Sequence, residues 1–100
     1  MSPLDELARA GTLDDVLRAT NDYLSRWTPQ ELGSLPMGCR PGRVRSRHDI
    51  EQWADRLLAA CRITPLIDED ARTLDRMTSH FLMASVKIRR LDPRRPPRVA

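Results

Sequence analysis

Four arginines, Arg40, Arg43, Arg45 and Arg47, fall within eight residues of one segment, Leu35–Asp49, and are the side chains best placed to do chemistry. A guanidinium is a planar fork that reads carboxylate or phosphate through two parallel N–H donors. If Arg43 to Arg47 runs extended, alternation puts Arg43, Arg45 and Arg47 on one side and Val44 and Ser46 on the other. A helix start follows at once, and the unpaired N–H groups of a first turn favour an anion. Asp49 and Glu51 oppose this, since they lie in that first turn, satisfy its dipole and repel phosphate. Two readings compete. The arginines reach back to the acidic first helices and staple the segment to the body, or they bind an anionic partner. The acids tilt the balance to the staple.

Other chemistry-bearing residues form weaker patterns. Cys39, His48, Cys61 and His80 have no Cys-x-x-Cys or His-x-x-His spacing, so no metal site is expected. Cys61 shares an apolar stripe with Leu57 and Leu58, where a buried thiol is ordinary. His80 lies off the main stripe of its helix and is expected to face solvent or a helix partner. Cys39 beside Arg40 is the one candidate nucleophile, because nearby positive charge lowers a thiol pKa, and His48 is its one candidate base. The chain has no Gly-x-Ser-x-Gly, no phosphate-cradling glycine loop and no His-Glu-x-x-His. No enzyme activity, cofactor or small-molecule substrate is expected.

The elements that position these residues read as helices. Ser2-Pro3-Leu4-Asp5 and Thr28-Pro29-Gln30-Glu31 are capping boxes with proline at the first helical position, and Thr12 with Asp15 caps a helix between them. Gly11 offers that first short helix a left-handed exit. Leu13, Val16, Leu17, Thr20, Tyr23, Leu24 and Trp27 keep the i, i+3, i+4 spacing over four turns. Gly33 and Pro36 stop the Pro29 helix early. Ser46 to Asp49 repeats the capping pattern, and Ile50, Trp53, Ala54, Leu57, Leu58 and Cys61 then line one stripe. Thr64-Pro65 interrupts the chain. A long final helix, starting at Pro65 or Glu69, carries Ala71, Leu74, Thr78, Phe81, Ser85 and Ile88 on its stripe, flanked by Met77, Leu82 and Ala84. Acids precede arginines by four residues in Asp5–Arg9, Asp14–Arg18, Asp22–Arg26 and Asp68–Arg72, the favourable order for exposed helix faces.

The fold expected is all-α: a small bundle of four to five helices with one long irregular Arg-rich loop, residues 1–91 as a single domain and 92–100 as a disordered Arg/Pro-rich tail. One phenylalanine, one tyrosine and few β-branched residues argue against a sheet. Net charge is +3, unevenly spread: six acids against three arginines in residues 1–35, six arginines against three acids in 36–62, and five arginines against one acid in 89–100. Asp5 and Glu6 stand where a signal peptide needs a positive flank, and the longest apolar run, Leu57–Cys61, cannot span a membrane. Two cysteines make no disulfide framework, so a cytoplasmic chain with reduced thiols is expected. A helix-turn-helix would present Asp68, Glu69 and Asp70 to DNA, the wrong charge for a polyanion.

Function is therefore expected to lie in interaction. The first reading is a protein-protein interaction or accessory protein, using the long last helix, with Met77 and Leu82 at its surface, to meet a protein partner or a second copy. The alternative is a nucleic-acid-associated accessory protein, holding phosphates through the loop and tail arginines.

Overall fold

Local signals account for most helix starts. The computed structural model describes residues 2–63 and 68–91. Five helices run in order: α1 (Pro3–Arg9), α2 (Leu13–Ser25), α3 (Pro29–Gly33), α4 (Arg47–Ile63) and α5 (Asp68–Leu91). There is no strand among the described residues. Ser2 and Thr28 form reciprocal capping boxes with Asp5 and Glu31, and Thr12 accepts the Asp15 N–H. Each such bond pairs an otherwise orphaned first-turn donor. At α4, Ser46 Oγ accepts the Asp49 N–H at 3.2 Å, while the Asp49 carboxylate accepts from Arg45 N at 2.9 Å, one residue outside the usual box.

The exit of α1 differs from the expectation. Ala10 leaves the helix in an extended conformation (φ −61°, ψ 129°), and Gly11 instead donates its N–H to the Asp15 carboxylate at 3.2 Å. Among the described residues only Gly38 has a positive φ, +84°. There Cys39 N donates to Pro36 O at 3.0 Å. A glycine at the third position of such a turn supplies the backbone conformation that side chains resist.

Helix α5 is the centre of the core. It packs most extensively on α4 and also on α1 and α2. Leu74, Met77, Phe81, Ala84 and Ile88 of α5 meet Ile50, Ala54 and Leu57 of α4 and Val16, Ala19 and Tyr23 of α2 in one buried cluster. Leu35, Cys39 and Val44, from the segment between α3 and α4, are buried in the same cluster. The radius of gyration, 13.9 Å, is that of a compact chain of this length.

Covering α5 from several sides widens the arc that must be apolar, and this relocates several expected residues. Met77 is fully buried, so it is core and not partner surface. Leu82 is half-buried and packs against the cluster. Cys61, expected in the core, is exposed, whereas Cys39 is buried. Ion pairs also depart from the expected spacing: Arg26 reaches Glu6 on α1 at 3.4 Å, Arg18 reaches Asp15 at 3.9 Å and Arg76 reaches Glu31 at 3.5 Å. Thr64-Pro65, the side chain of Asp68 with its expected pairing to Arg72, and the expected tail, residues 92–100, lie outside the described residues. No helix among those described is long and apolar enough to cross a membrane.

Candidate functional site

Residues 34–46 form no helix or strand, yet they are held in place by an amide clamp. Asn21, midway along α2, donates from Nδ2 to Val44 O at 2.9 Å and accepts at Oδ1 from Val44 N at 2.8 Å. Asparagine is a poor mid-helix residue because its amide competes with the backbone. Here that amide mimics a neighbouring strand and satisfies both main-chain groups of Val44. The Val44 side chain enters the core at 1 % exposure, which fixes the register. Alternation then turns Arg43 and Arg45 outward, and both are exposed.

The four candidate arginines consequently divide. Arg40 donates from Nε to Leu35 O and from Nη2 to Gly33 O, both at 3.3 Å, and so closes the carbonyl end of α3. It staples the segment through backbone carbonyls. Arg47 belongs to α4 and pairs with Glu51 one turn on at 3.0 Å. It does not share the outward edge with Arg43 and Arg45, because helical geometry has already begun. Arg43 and Arg45 make no side-chain hydrogen bond or ion pair among the described residues. Extended backbone separates their Cα atoms by about 6.6 Å. For these two the staple reading is replaced by the Asn21 clamp.

Both arginines line a groove of about 580 Å³ beside α2, together with Asp14, Arg18, Asn21 and Asp22. Its charge is mixed, with three guanidiniums and two carboxylates. Asp49 and Glu51 stand at the following helix start. A ligand in this groove meets two neighbouring forked donors with acceptors nearby, a pattern suited to alternating charges and poorly suited to a uniform polyanion.

Cys39 lacks the environment of a nucleophile. Burial pushes its thiol pKa up, nearby Cys61 adds to the rise, and Arg56 only partly opposes it. His48 is exposed on α4, and no hydrogen bond joins it to Cys39. Among the described residues no group of three or more His, Cys, Asp or Glu is placed to hold a metal.

His80, expected to face solvent or a helix partner, faces α2 and is 2 % exposed. Its ring stacks on Tyr23 at 4.1 Å with 3° between planes, and Nε2 shares a 3.1 Å hydrogen bond with Thr20 Oγ1. Burial lowers its pKa to about 4, so the ring is neutral near pH 7. Nδ1 is buried without a hydrogen-bond partner among the described residues. A cavity of about 310 Å³ opens beside it, but Arg76, the cation on its wall, is already held by Glu31 and by the Trp27 ring at 5.0 Å. His80 stands three residues after Met77 and four before Ala84, and Thr20 and Tyr23 offer a hydroxyl and a ring one turn apart. That spacing is the signal that places it inside.

Compared with known proteins, the chain matches no family model, no curated protein and no solved structure.

Proposed function

We propose that this chain is a non-enzymatic interaction protein that holds an acidic, extended segment of a protein partner against Arg43 and Arg45. One observation carries the reading: two exposed guanidiniums, without partners among the described residues, stand on a segment that Asn21 and buried Val44 hold in a fixed register. Such preorganisation lowers the ordering cost of binding. An extended partner presents side chains of one face every second residue, at the same ~6.6 Å spacing as the arginines. Asp14 and Asp22, in the same groove, supply sites for a partner cation and disfavour a phosphate backbone.

The test is capture of partners from the native cell extract by the wild type and by Arg43→Glu/Arg45→Glu, with and without nuclease, alongside thermal unfolding. The expected result is a nuclease-resistant protein partner that the double variant loses while its melting temperature stays within about 2 °C, the two sites being exposed. Acidic Asp-x-Asp peptides should compete with that partner, and duplex DNA should not. Loss of the partner on nuclease treatment, with steep salt dependence of duplex binding, would transfer the arginines to phosphate recognition instead.

A further inference from the structure

A second surface lies along the outer side of α5. Asp75, Ser79, Met83, Val86 and Arg90 follow one another at spacings of four, four, three and four, which places them on one stripe of the helix. Met83 is 49 % and Val86 38 % exposed, large values for apolar side chains on a helix whose other faces are covered. Asp75 and Arg90 are exposed at the two ends, and neither side chain makes a hydrogen bond or ion pair among the described residues. Between Met83, Val86 and the neighbouring Ala8 of α1 lies a hollow of about 150 Å³, wide enough to receive a side chain.

This stripe is close to its own reverse. Asp75 and Arg90 are equidistant from the midpoint between Leu82 and Met83, and so are Ser79 and Val86. Turned end for end, it sets acid on base, small on branched, and the central pair on itself. Self-complementarity under a two-fold axis is the requirement of an isologous dimer. We infer that the outer face of α5 is a self-association surface, on which a second copy of this chain lays its own α5 antiparallel about a dyad at Leu82 and Met83. Each Asp75 then meets the partner copy's Arg90, with Arg89 beside it. Met83 and Val86 form the apolar centre over an overlap of about 22 Å. A parallel arrangement would juxtapose Arg90 with itself. Arg72 lies beyond the overlap, and Arg76 is neutralised by Glu31. The surface is distinct from the Arg43–Arg45 groove and does not rest on it.

A single helix pair is a small interface, so the dissociation constant belongs in the micromolar range, about 1–100 μM. Sedimentation equilibrium over about 1–500 μM chain should show the mass rising from one to two copies. Met83→Glu should hold it at one copy. Asp75→Arg and Arg90→Glu should each weaken the dimer about tenfold or more, because every substitution acts twice and sets like charges together. Mixed in equal amounts, these two variants should associate with each other about as tightly as the wild type, since both mixed contacts are again opposite in charge. Arg43→Glu/Arg45→Glu should leave the mass curve unchanged. A wild type that stays at one copy to the highest concentration would overturn the proposal, and so would a Met83→Glu dimer. The charge-swapped pair involves exposed residues that do not contribute to the core. A mixture no tighter than either variant alone overturns the antiparallel register even where Met83→Glu misfolds.

Discussion

Replacing Asn21 by Ala would leave the N–H and C=O of Val44 without partners while the Val44 side chain stays buried. Two hydrogen bonds at about 1 kcal/mol each make the expected loss about 2 kcal/mol, or a melting temperature lower by roughly 10 °C. Urea unfolding checks it, and a change below about 0.5 kcal/mol would mean that the clamp does not hold the segment. His80 gives a pH test with a definite sign. Its pKa falls from 6.5 to about 4 on folding because burial disfavours the imidazolium. Between those values the unfolded chain binds a proton that the native chain does not. Stability should therefore fall as pH drops from about 6.5 to about 4, by an amount on the order of 3 kcal/mol, and be fully recovered above that window. His80→Phe, which keeps the ring against Tyr23, should flatten this slope in unfolding measured from pH 4 to 7.5. Hydrogen bonds to Ser2 and Thr28 hold the Asp5 and Glu31 carboxyls below their ordinary range. They titrate alike in both proteins, so the difference isolates His80. Mass-spectrometric alkylation should label exposed Cys61 readily and buried Cys39 only on unfolding. The arginines were legible in sequence as a cluster but not by role. Arg40 and Arg47 are settled by carbonyls and by Glu51, whereas Arg43 and Arg45 are left over, and only three-dimensional neighbours distinguish the two pairs.

Helix starts were legible because capping is local: Ser2, Thr12, Thr28 and Ser46 each act within three residues of themselves. The core side of α5 was only half legible. Its stripe through Leu74, Thr78, Phe81, Ser85 and Ile88 is present, but the number of helices packed around it decides how far the buried arc extends. Met77 and Met83 expose the difference. Met77 flanks the expected stripe and is 0 % exposed, whereas Met83, on the opposite face of the helix, is 49 % exposed. Met77→Ala should cost about 2–5 kcal/mol, as for other methylene deletions in a packed core, and Met83→Ala less than about 1 kcal/mol in the monomer. Guanidinium unfolding of the two variants at low concentration reads both numbers. Equal losses would place Met83 in the core and remove the self-association surface.

Because α5 touches α1, α2 and α4, the molecule should have little means of unfolding in parts. The two tryptophans make this testable, since Trp27 follows α2 and Trp53 lies on α4. Trp27 stacks edge-on with Tyr23 at 5.9 Å, and Tyr23 in turn binds α5 through a 3.2 Å bond from its hydroxyl to Arg76 O. Trp53 is half-buried against the common cluster. Single-tryptophan variants, Trp27→Phe and Trp53→Phe, should each give a fluorescence transition that coincides with loss of helical circular dichroism, the mark of one cooperative unit. Phe81, fully buried on α5, joins these regions. Its replacement by alanine should cost about 3–5 kcal/mol, a large share of the stability usual for a chain of 100 residues, and should shift both tryptophan transitions together. Were Trp53 to report a later midpoint than Trp27, the α4–α5 pair would be a separate folding unit. The α2 groove would then open while the rest of the chain stayed folded. Coincident midpoints mean instead that the Asn21 clamp, and with it the spacing of Arg43 and Arg45, persists as long as the core does.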